Sequence, residues 1–287
     1  MSVENNRART LRALVEATLN EVLPAADERP AILAEAMRYA VGTGGKRIRP
    51  LICLASATAV GGMAEDAKYP AAAIEILHNY TLVHDDLPAM DNDVLRRGQP
   101  TVWKKFGEAN AILAGDALLA LAYQTAAKAP RNVAAIVGVL GEKGVGVVRG
   151  QVEDLRFQTT QPTQTFQTSP TFQTSQTTQT SQTTQTSISF IYLHKTSDLF
   201  VAAAKMGALA GGGAPDDVAR LERFALNLGL AFQFEDDLLD GDGPYPRAET
   251  ERRVAETTAA AIAALEGLPG ETGFLRELAQ KLVGRKA

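Results

Sequence analysis

Apolar residues return every three or four positions through most of this chain, the spacing of one face of an α-helix. Ile32, Leu33, Ala36, Met37 and Ala40 form one such stripe within 31–41, and Ile74, Leu77, Thr81 and Leu82 form another within 71–83. Residues 109–126, ANAILAGDALLALAYQTA, are apolar nearly all round and predict a buried central helix. The periodicity continues through 198–210, 217–239 and 247–266, whereas strand alternation is scarce. Gly-Gly and Pro clusters near 42–50, 61–62, 97–100, 211–215 and 241–246 separate these segments. The predicted fold class is all-α: a single domain over 1–287, a large helical bundle whose sites are built in a central cavity from facing helices.

One region departs from the pattern. Residues 158–187 are almost entirely Gln, Thr and Ser, with SQTTQT repeating inside them. A segment with so little apolar surface cannot offset its ordering entropy by burial, so no fold is assigned to it.

Composition limits the function classes. The chain has 287 residues, 45% of them hydrophobic, enough for a large core. A net charge of -4 without a basic block argues against a nucleic-acid partner. The single Cys53 excludes a disulfide within the chain and fits a reducing compartment. The N-terminal stretch MSVENNRARTLRALVEATL is charged throughout and lacks the apolar centre of a signal peptide. No apolar run reaches the ~20 residues a membrane span needs. The expectation is a soluble, cytoplasmic protein without membrane insertion.

Against this apolar background the charges are concentrated. HDDLPAMDNDVLRRGQPTVW, residues 84–103, carries Asp85, Asp86 and Asp91, and DDLLD carries Asp236, Asp237 and Asp240. Asp236 and Asp240, four apart, project about 40° apart around a helix, on one face. Asp85 and Asp91, six apart, would project about 120° apart on an ideal helix. Pro88 makes an ideal helix there unfavourable, and a helix end or distortion brings Asp91 back towards Asp85. One such cluster is what a solvated helix face also carries. Two clusters embedded in apolar sequence (LVH before one, LGLAFQF before the other) need a partner, because buried carboxylates without one take up protons. Hard divalent cations fit: Mg²⁺ binds through one or two carboxylates, with waters and substrate phosphates completing its shell. No His/Cys grouping suggests zinc. Basic residues complement the acids. GGKRIRP sets Lys46, Arg47 and Arg49 on a Gly-rich turn entering a helix, Arg96 and Arg97 follow the first cluster, and HKT contains Lys195 and Thr196. The combination suggests two phosphate groups, one held through Mg²⁺, the other directly by Lys and Arg forks.

These blocks carry a resemblance. GGKRIRP, HNYTLVHDDLPAMDNDVLRRGQPTVWKKFGEANAILAGDAL, GQVEDL, HKT and GLAFQFEDDLLD, in this order, resemble the trans-isoprenyl diphosphate synthases, most closely the bacterial-type farnesyl diphosphate synthases, over roughly 30–155 and 190–240. The resemblance implies an all-α bundle around a deep cavity, usually a homodimer. The implied reaction joins isopentenyl diphosphate to an allylic diphosphate by ionisation, condensation and elimination with three Mg²⁺, Mn²⁺ being a substitute, to give farnesyl diphosphate. It makes Asp85, Asp86, Asp91, Asp236, Asp237 and Asp240 metal ligands. Lys46, Arg49, His78 and Arg97 become the homoallylic diphosphate pocket, and Arg96, Lys195 and Gln233 the allylic site with Thr196 beside the reacting carbon. His78 is expected to donate a hydrogen bond to phosphate; taken without the resemblance, it is a core histidine on a helix face.

Tyr80 lies five residues before Asp85, more than one turn deeper. A large ring there stops a growing chain, which by resemblance goes with a C15 product. The alternatives are a geranylgeranyl or medium-chain synthase, a non-catalytic synthase subunit, and a terpene cyclase, which binds one diphosphate and has no use for the GGKRIRP and Arg97 pocket. Two departures stand out: the Gln/Thr tract replaces a helical stretch, and Asp240 runs through GDGPYP to the next helix without the family's Gly- and Lys-rich loop.

Overall fold

A computed structural model of the chain describes residues 3–160, 186–241 and 243–283. The described chain is a bundle of helices, as expected, with one two-residue hairpin (β1, Leu95–Arg96; β2, Gln99–Pro100). The helices are α1 (Val3–Val22), α2 (Ala31–Gly42), α3 (Ile48–Ala59), α4 (Lys68–Asp85), α5 (Val102–Phe106), α6 (Glu108–Ala126), α7 (Val133–Thr160), α8 (Asp198–Ala210), α9 (Pro215–Asp240), α10 (Arg247–Ala264) and α11 (Gly273–Val283). A 3₁₀ turn (Ala64–Ala67) precedes α4, and a π-helical segment (Tyr192–Ser197) leads into α8. The Gln/Thr-rich stretch was assigned no fold, yet its edges, 158–160 and 186–187, are helical; the rest of it, 161–185, lies outside the described residues.

α4 is the axis of the core. Ile74, Ile76, Leu77 and the run Ala71–Ala73 are fully buried, packed among α3, α6 and α8. Burial of each large aliphatic side chain contributes about 1.5–3 kcal/mol. The small residues set the approach distances. A Cβ on Gly207 would lie 2.0 Å from the Cys53 carbonyl oxygen, so α8 meets α3 backbone to backbone. The uncharged face of α1 (Leu11, Val15, Leu19, Val22) closes the core from the N-terminal side. α9 starts with Pro215 in its first turn beside Asp216 and Asp217, which favour the helix dipole, and stops at Gly241 in the left-handed region (φ 75°).

α6 differs from expectation. Ala111, Ala114, Gly115, Leu118 and Ala122 are buried, but Ile112 is 45% and Leu113 56% exposed. Leu118 and mostly small residues face the core while Ile112 and Leu113 face outward, so uniform apolarity here reports two faces, not full burial. No described helix is long and apolar enough to cross a membrane.

Candidate functional site

α4 ends at Asp85, just before Pro88. The chain then turns back, and the Asp91 N–H donates to the Asp85 carbonyl at 2.9 Å. Asn92, at φ 55°, completes the reversal. The helix end thus brings the two acids to one rim, as the proline predicted. Burial pushes the Asp85 carboxyl up to about 6; Lys195 opposes this, Asp91 adds to it, Arg96 opposes and Asp86 adds. Asp86 is buried and accepts from Arg96 Nε at 2.6 Å. Its carboxyl is also raised, by burial, against the hydrogen bond and charge of Arg96. Arg96 Nη2 reaches Asp93 at 3.2 Å as well. The hairpin β1–β2 carries both Arg96 and Arg97, which sits at φ 53°.

The basic turn forms a cavity of about 470 Å³ lined by Lys46, Arg49, His78 and Arg97 together with Thr43, Gly45, Arg47, Ile48 and Glu75. All four residues assigned to one diphosphate therefore share one hollow. Arg97 donates to the Gly44 carbonyl, and Gly45 leaves room for the guanidinium, which a Cβ there would meet at 2.8 Å. Arg49 stacks over the Phe200 ring at 5.1 Å and points Nη1 at His78 Nε2 at 3.3 Å. A guanidinium only donates, so His78 Nε2 accepts and its proton sits on Nδ1. Burial and then the charges of Arg49, Arg97, Arg96 and Arg47 hold His78 well below the usual imidazole range. Burial also pushes Arg49 down to about 10, against the pull of Glu75 and with the repulsion of Arg97. The Arg49 Nε is buried without a hydrogen-bond partner. Arg47 has a different task. It is buried at φ 52° and binds Glu75 at 2.7 Å and Glu16 at 2.8 Å, so it anchors the turn from below.

The third part of the site is the π-helical segment, flanked by α7 and α9. Lys195 Nζ donates to Asp154 Oδ2 at 2.6 Å. The Thr196 hydroxyl donates to Gln233 Oε1 at 2.8 Å, and Gln233 Nε2 donates to Asp237 Oδ1 at 3.1 Å. The other Asp237 oxygen accepts from the Tyr192 hydroxyl at 2.6 Å. Asp237 is buried, with both oxygens engaged by protein groups, while Asp236 is half-buried and Asp240 exposed. The DDLLD acids thus divide into a buttress and two more open carboxylates. Lys195 is close enough to influence Asp85, which links the π segment to the α4 rim.

Residues 30–249 match the family described as polyprenyl synthetase. The chain belongs to the polyprenyl synthetase family. It is 42% identical over 236 residues to a geranylgeranyl diphosphate synthase of Cyanophora paradoxa, covering 80% of this chain and 71% of that protein. It is 40% identical over 240 residues to the chloroplastic heterodimeric geranylgeranyl pyrophosphate synthase large subunit 1 of Arabidopsis thaliana, covering 80% of this chain and 59% of that protein. The chain therefore spans 59% to 71% of the length of these two relatives. Among solved structures, an FPP/GFPP synthase from Zymomonas mobilis superposes with a TM-score of 0.80 at 33% identity, over 96% of this chain and 99% of that one. The geranylgeranyl pyrophosphate synthetase of Pyrococcus horikoshii Ot3 superposes at 0.82 with 27% identity, over 98% of each chain. The motif reading is thereby supported at the level of the family; the curated relatives are named for geranylgeranyl rather than farnesyl diphosphate.

Within this polyprenyl synthetase chain, Tyr80 is half-buried on α4 and packs edge-on to His84, ring centroids 5.0 Å apart. Burial raises its hydroxyl pKa, helped by Asp85, Asp116 and Tyr123. Several residues that shape the family site were not singled out from sequence. Asp154 lies inside GQVEDL and holds Lys195. Glu75 is the buried counter-charge under the arginines, and Phe200 is the plate beneath Arg49. Gly146 and Gly150, four apart in GEKGVGVVRGQ, were readable as a helix face without side chains, which signals close approach.

Proposed function

We propose that this chain is a trans-prenyltransferase that condenses isopentenyl diphosphate with an allylic diphosphate and releases geranylgeranyl diphosphate. The observation that carries this reading is the placement of the Lys46, Arg49, His78 and Arg97 cavity in the same bundle as the α4 aspartates and Lys195. Two separate anion sites serve two diphosphate substrates; a cyclase needs one. The names of the curated relatives support the C20 product over the C15 product that the motifs suggest.

The oxygen-only donor set suits Mg²⁺, or Mn²⁺ in its place. Among the described residues no three His, Cys, Asp or Glu side chains converge tightly enough to hold an ion unaided. That matches a cation bound by one or two carboxylates and completed by substrate phosphates and water. The raised carboxyl of Asp85 marks an acid kept from water, which a cation relieves. Asp85, Asp86 and Asp91 would each supply oxygens to such cations from the α4 end, Asp236 and Asp240 from α9, one or two carboxylates to each cation, with Asp237 orienting the second group. When bound, Mg²⁺ supplies charge stabilisation for the departing diphosphate.

The remaining steps belong to the chain. Arg96 and Lys195 donate to the allylic diphosphate as its negative charge develops, preorganised by Asp86 and Asp154. The Thr196 hydroxyl donates its hydrogen bond to Gln233 Oε1, so its oxygen lone pairs stay available to stabilise positive carbon, together with the Lys195 carbonyl. Arg49 and Arg97 orient isopentenyl diphosphate so that its double bond meets the cation before water does. The released diphosphate takes the final proton.

A farnesyl product is the second reading, and one observation favours it: the Tyr80 ring sits on α4 between the aspartates and the core. Ile112 and Leu113 on α6 and Val145, Val148 and Val152 on α7 are exposed apolar surface of the kind a second copy covers, which supports a homodimer. The lone, buried Cys53 fits a reducing, cytoplasmic setting.

The test is incubation with Mg²⁺, labelled isopentenyl diphosphate, and dimethylallyl, geranyl or farnesyl diphosphate, followed by chromatography of the dephosphorylated products. C20 alcohol is the expected end product. A C15 end product supports the second reading, and no elongation with any allylic substrate overturns both.

A further inference from the structure

Asp198 is the first α-helical residue after the π-helical segment, and only 3% of it is exposed. Its Oδ2 is 2.7 Å from His194 Nδ1 inside the π segment, and its Oδ1 is 3.1 Å from Lys143 Nζ on α7. The carboxylate therefore bridges the junction of two helix types and ties that junction to a third element. The tie depends on missing side chains. A Cβ on Gly146 would lie 2.0 Å from Asp198 Oδ2, and one on Gly150 would lie 2.4 Å from the Lys195 backbone nitrogen. From the opposite side, a Cβ on Gly229 of α9 would lie 2.7 Å from Ser197 Cα. Three glycines on two helices thus clamp a six-residue π segment that includes Lys195 and Thr196. π-helical turns are rare and need local support, because the α-helix is the better-bonded alternative.

We propose that Lys143, Asp198 and His194 form a positioning device that holds the π segment in register, and so aims Lys195 and Thr196 at the allylic substrate. This rests on the reading of the chain as a prenyltransferase. None of the three is a catalytic residue; they act through Lys195 and Thr196. If the strut is lost, the segment relaxes towards α-helical geometry, and the bonds Lys195–Asp154 and Thr196–Gln233 lose their alignment.

The test uses two variants. Asp198→Asn keeps the shape and removes the charge, and Lys143→Gln weakens the strut from its α7 end, at a side chain 17% exposed, without opening a core cavity. Expected in both is a kcat lowered about 10- to 100-fold, as for loss of an outer partner in a preorganised site. KM for isopentenyl diphosphate should stay within about twofold, because its cavity lies on α3, α4 and the hairpin. Backbone amides of 192–197 should exchange at least about tenfold faster while those of α4 keep their protection. Wild-type kcat and wild-type exchange in both variants would overturn the proposal. Uniformly faster exchange across all helices would overturn it too, since it reports general destabilisation. If the wild-type protein transfers no prenyl group, the functional reading fails, while the exchange measurement still decides whether the strut holds the segment.

Discussion

The Asp91 N–H and the Asp85 carbonyl are joined by a 2.9 Å hydrogen bond that closes the end of α4 back on itself. Six residues apart, the two acids would diverge along a continuous helix, and this bond sets them on one rim. The rim accumulates like charge in partly buried surroundings, and its electrostatics yield direct expectations.

Asp85→Asn removes a carboxylate that burial disfavours and that the proposed reaction uses. Its activity should fall about 10²–10³-fold, the scale of a lost electrostatic stabiliser. The metal-free variant at pH 7.5 should nevertheless melt higher than wild type, by on the order of 1 kcal/mol, after allowance for the solvent and the Lys195 charge that already ease the wild-type carboxylate. Adding Mg²⁺ with inorganic diphosphate should stabilise the wild type and not the variant. Calorimetry of both proteins checks this; a variant that melts lower without metal would contradict it.

The pH dependence of metal-free stability follows from the same group. The folded carboxyl of Asp85, at about 6, lies above its ordinary 3.8. Between these values the folded state binds more protons than the unfolded one, so this group's contribution weakens stability as pH rises through that window. Urea titrations at pH 4.5 and 6.5 should show a smaller decline for Asp85→Asn than for wild type. Equal declines would place the titrating group elsewhere.

Glu75→Gln leaves Arg47 buried with its principal counter-charge gone, both side chains being 3% exposed. Loss of one member of such a pair costs about 3–5 kcal/mol, and Glu16 on the solvent side offsets only part of it. Chemical denaturation should show a loss near the lower end of this range; a loss under about 1 kcal/mol would mean that Glu75 is dispensable.

Arg49→Lys is not a conservative change. The guanidinium stacks on Phe200 and donates to His78 at once, and an ammonium cannot reproduce both contacts. KM for isopentenyl diphosphate should rise about tenfold or more, with the KM of the allylic substrate within about twofold. An even rise in both would show that the cavity is not specific to one substrate.

Tyr80→Ala opens the α4 face below the aspartates. The product distribution should shift to chains longer than wild type by at least one C5 unit, seen by reversed-phase chromatography of the alcohols. An unchanged distribution would remove Tyr80 from control of chain length.

Much of this site was legible before any coordinates. The helix segments at 31–41, 198–210 and 217–239 emerge within a few residues of those expected, because 3.6-residue periodicity survives any arrangement of neighbours. Pro88 announced the end of α4. The family blocks named Lys46, Arg49, His78 and Arg97, which line one cavity. Less legible was which charge is locked into an ion pair of the fold and which is not. Arg47 and Arg49 are two residues apart and line one cavity, yet Arg47 is paired with Glu75 and Arg49 lies on Phe200 beside His78. The same ambiguity divided Asp236 from Asp237, which are adjacent and face different surroundings.

The sequence alone determined the helical class, the approximate extents of α2, α4, α6, α8, α9 and α10, and the chemical inventory, since these depend on local periodicity, turn residues and side-chain type. Only the tertiary structure decided the partners. Lys195 finds Asp154, Thr196 finds Gln233, and Lys143 of α7 reaches Asp198 where Gly146 of the same helix leaves a gap. Such pairings depend on how closely two backbones approach, which is set by packing between distant segments, and no single segment encodes that distance.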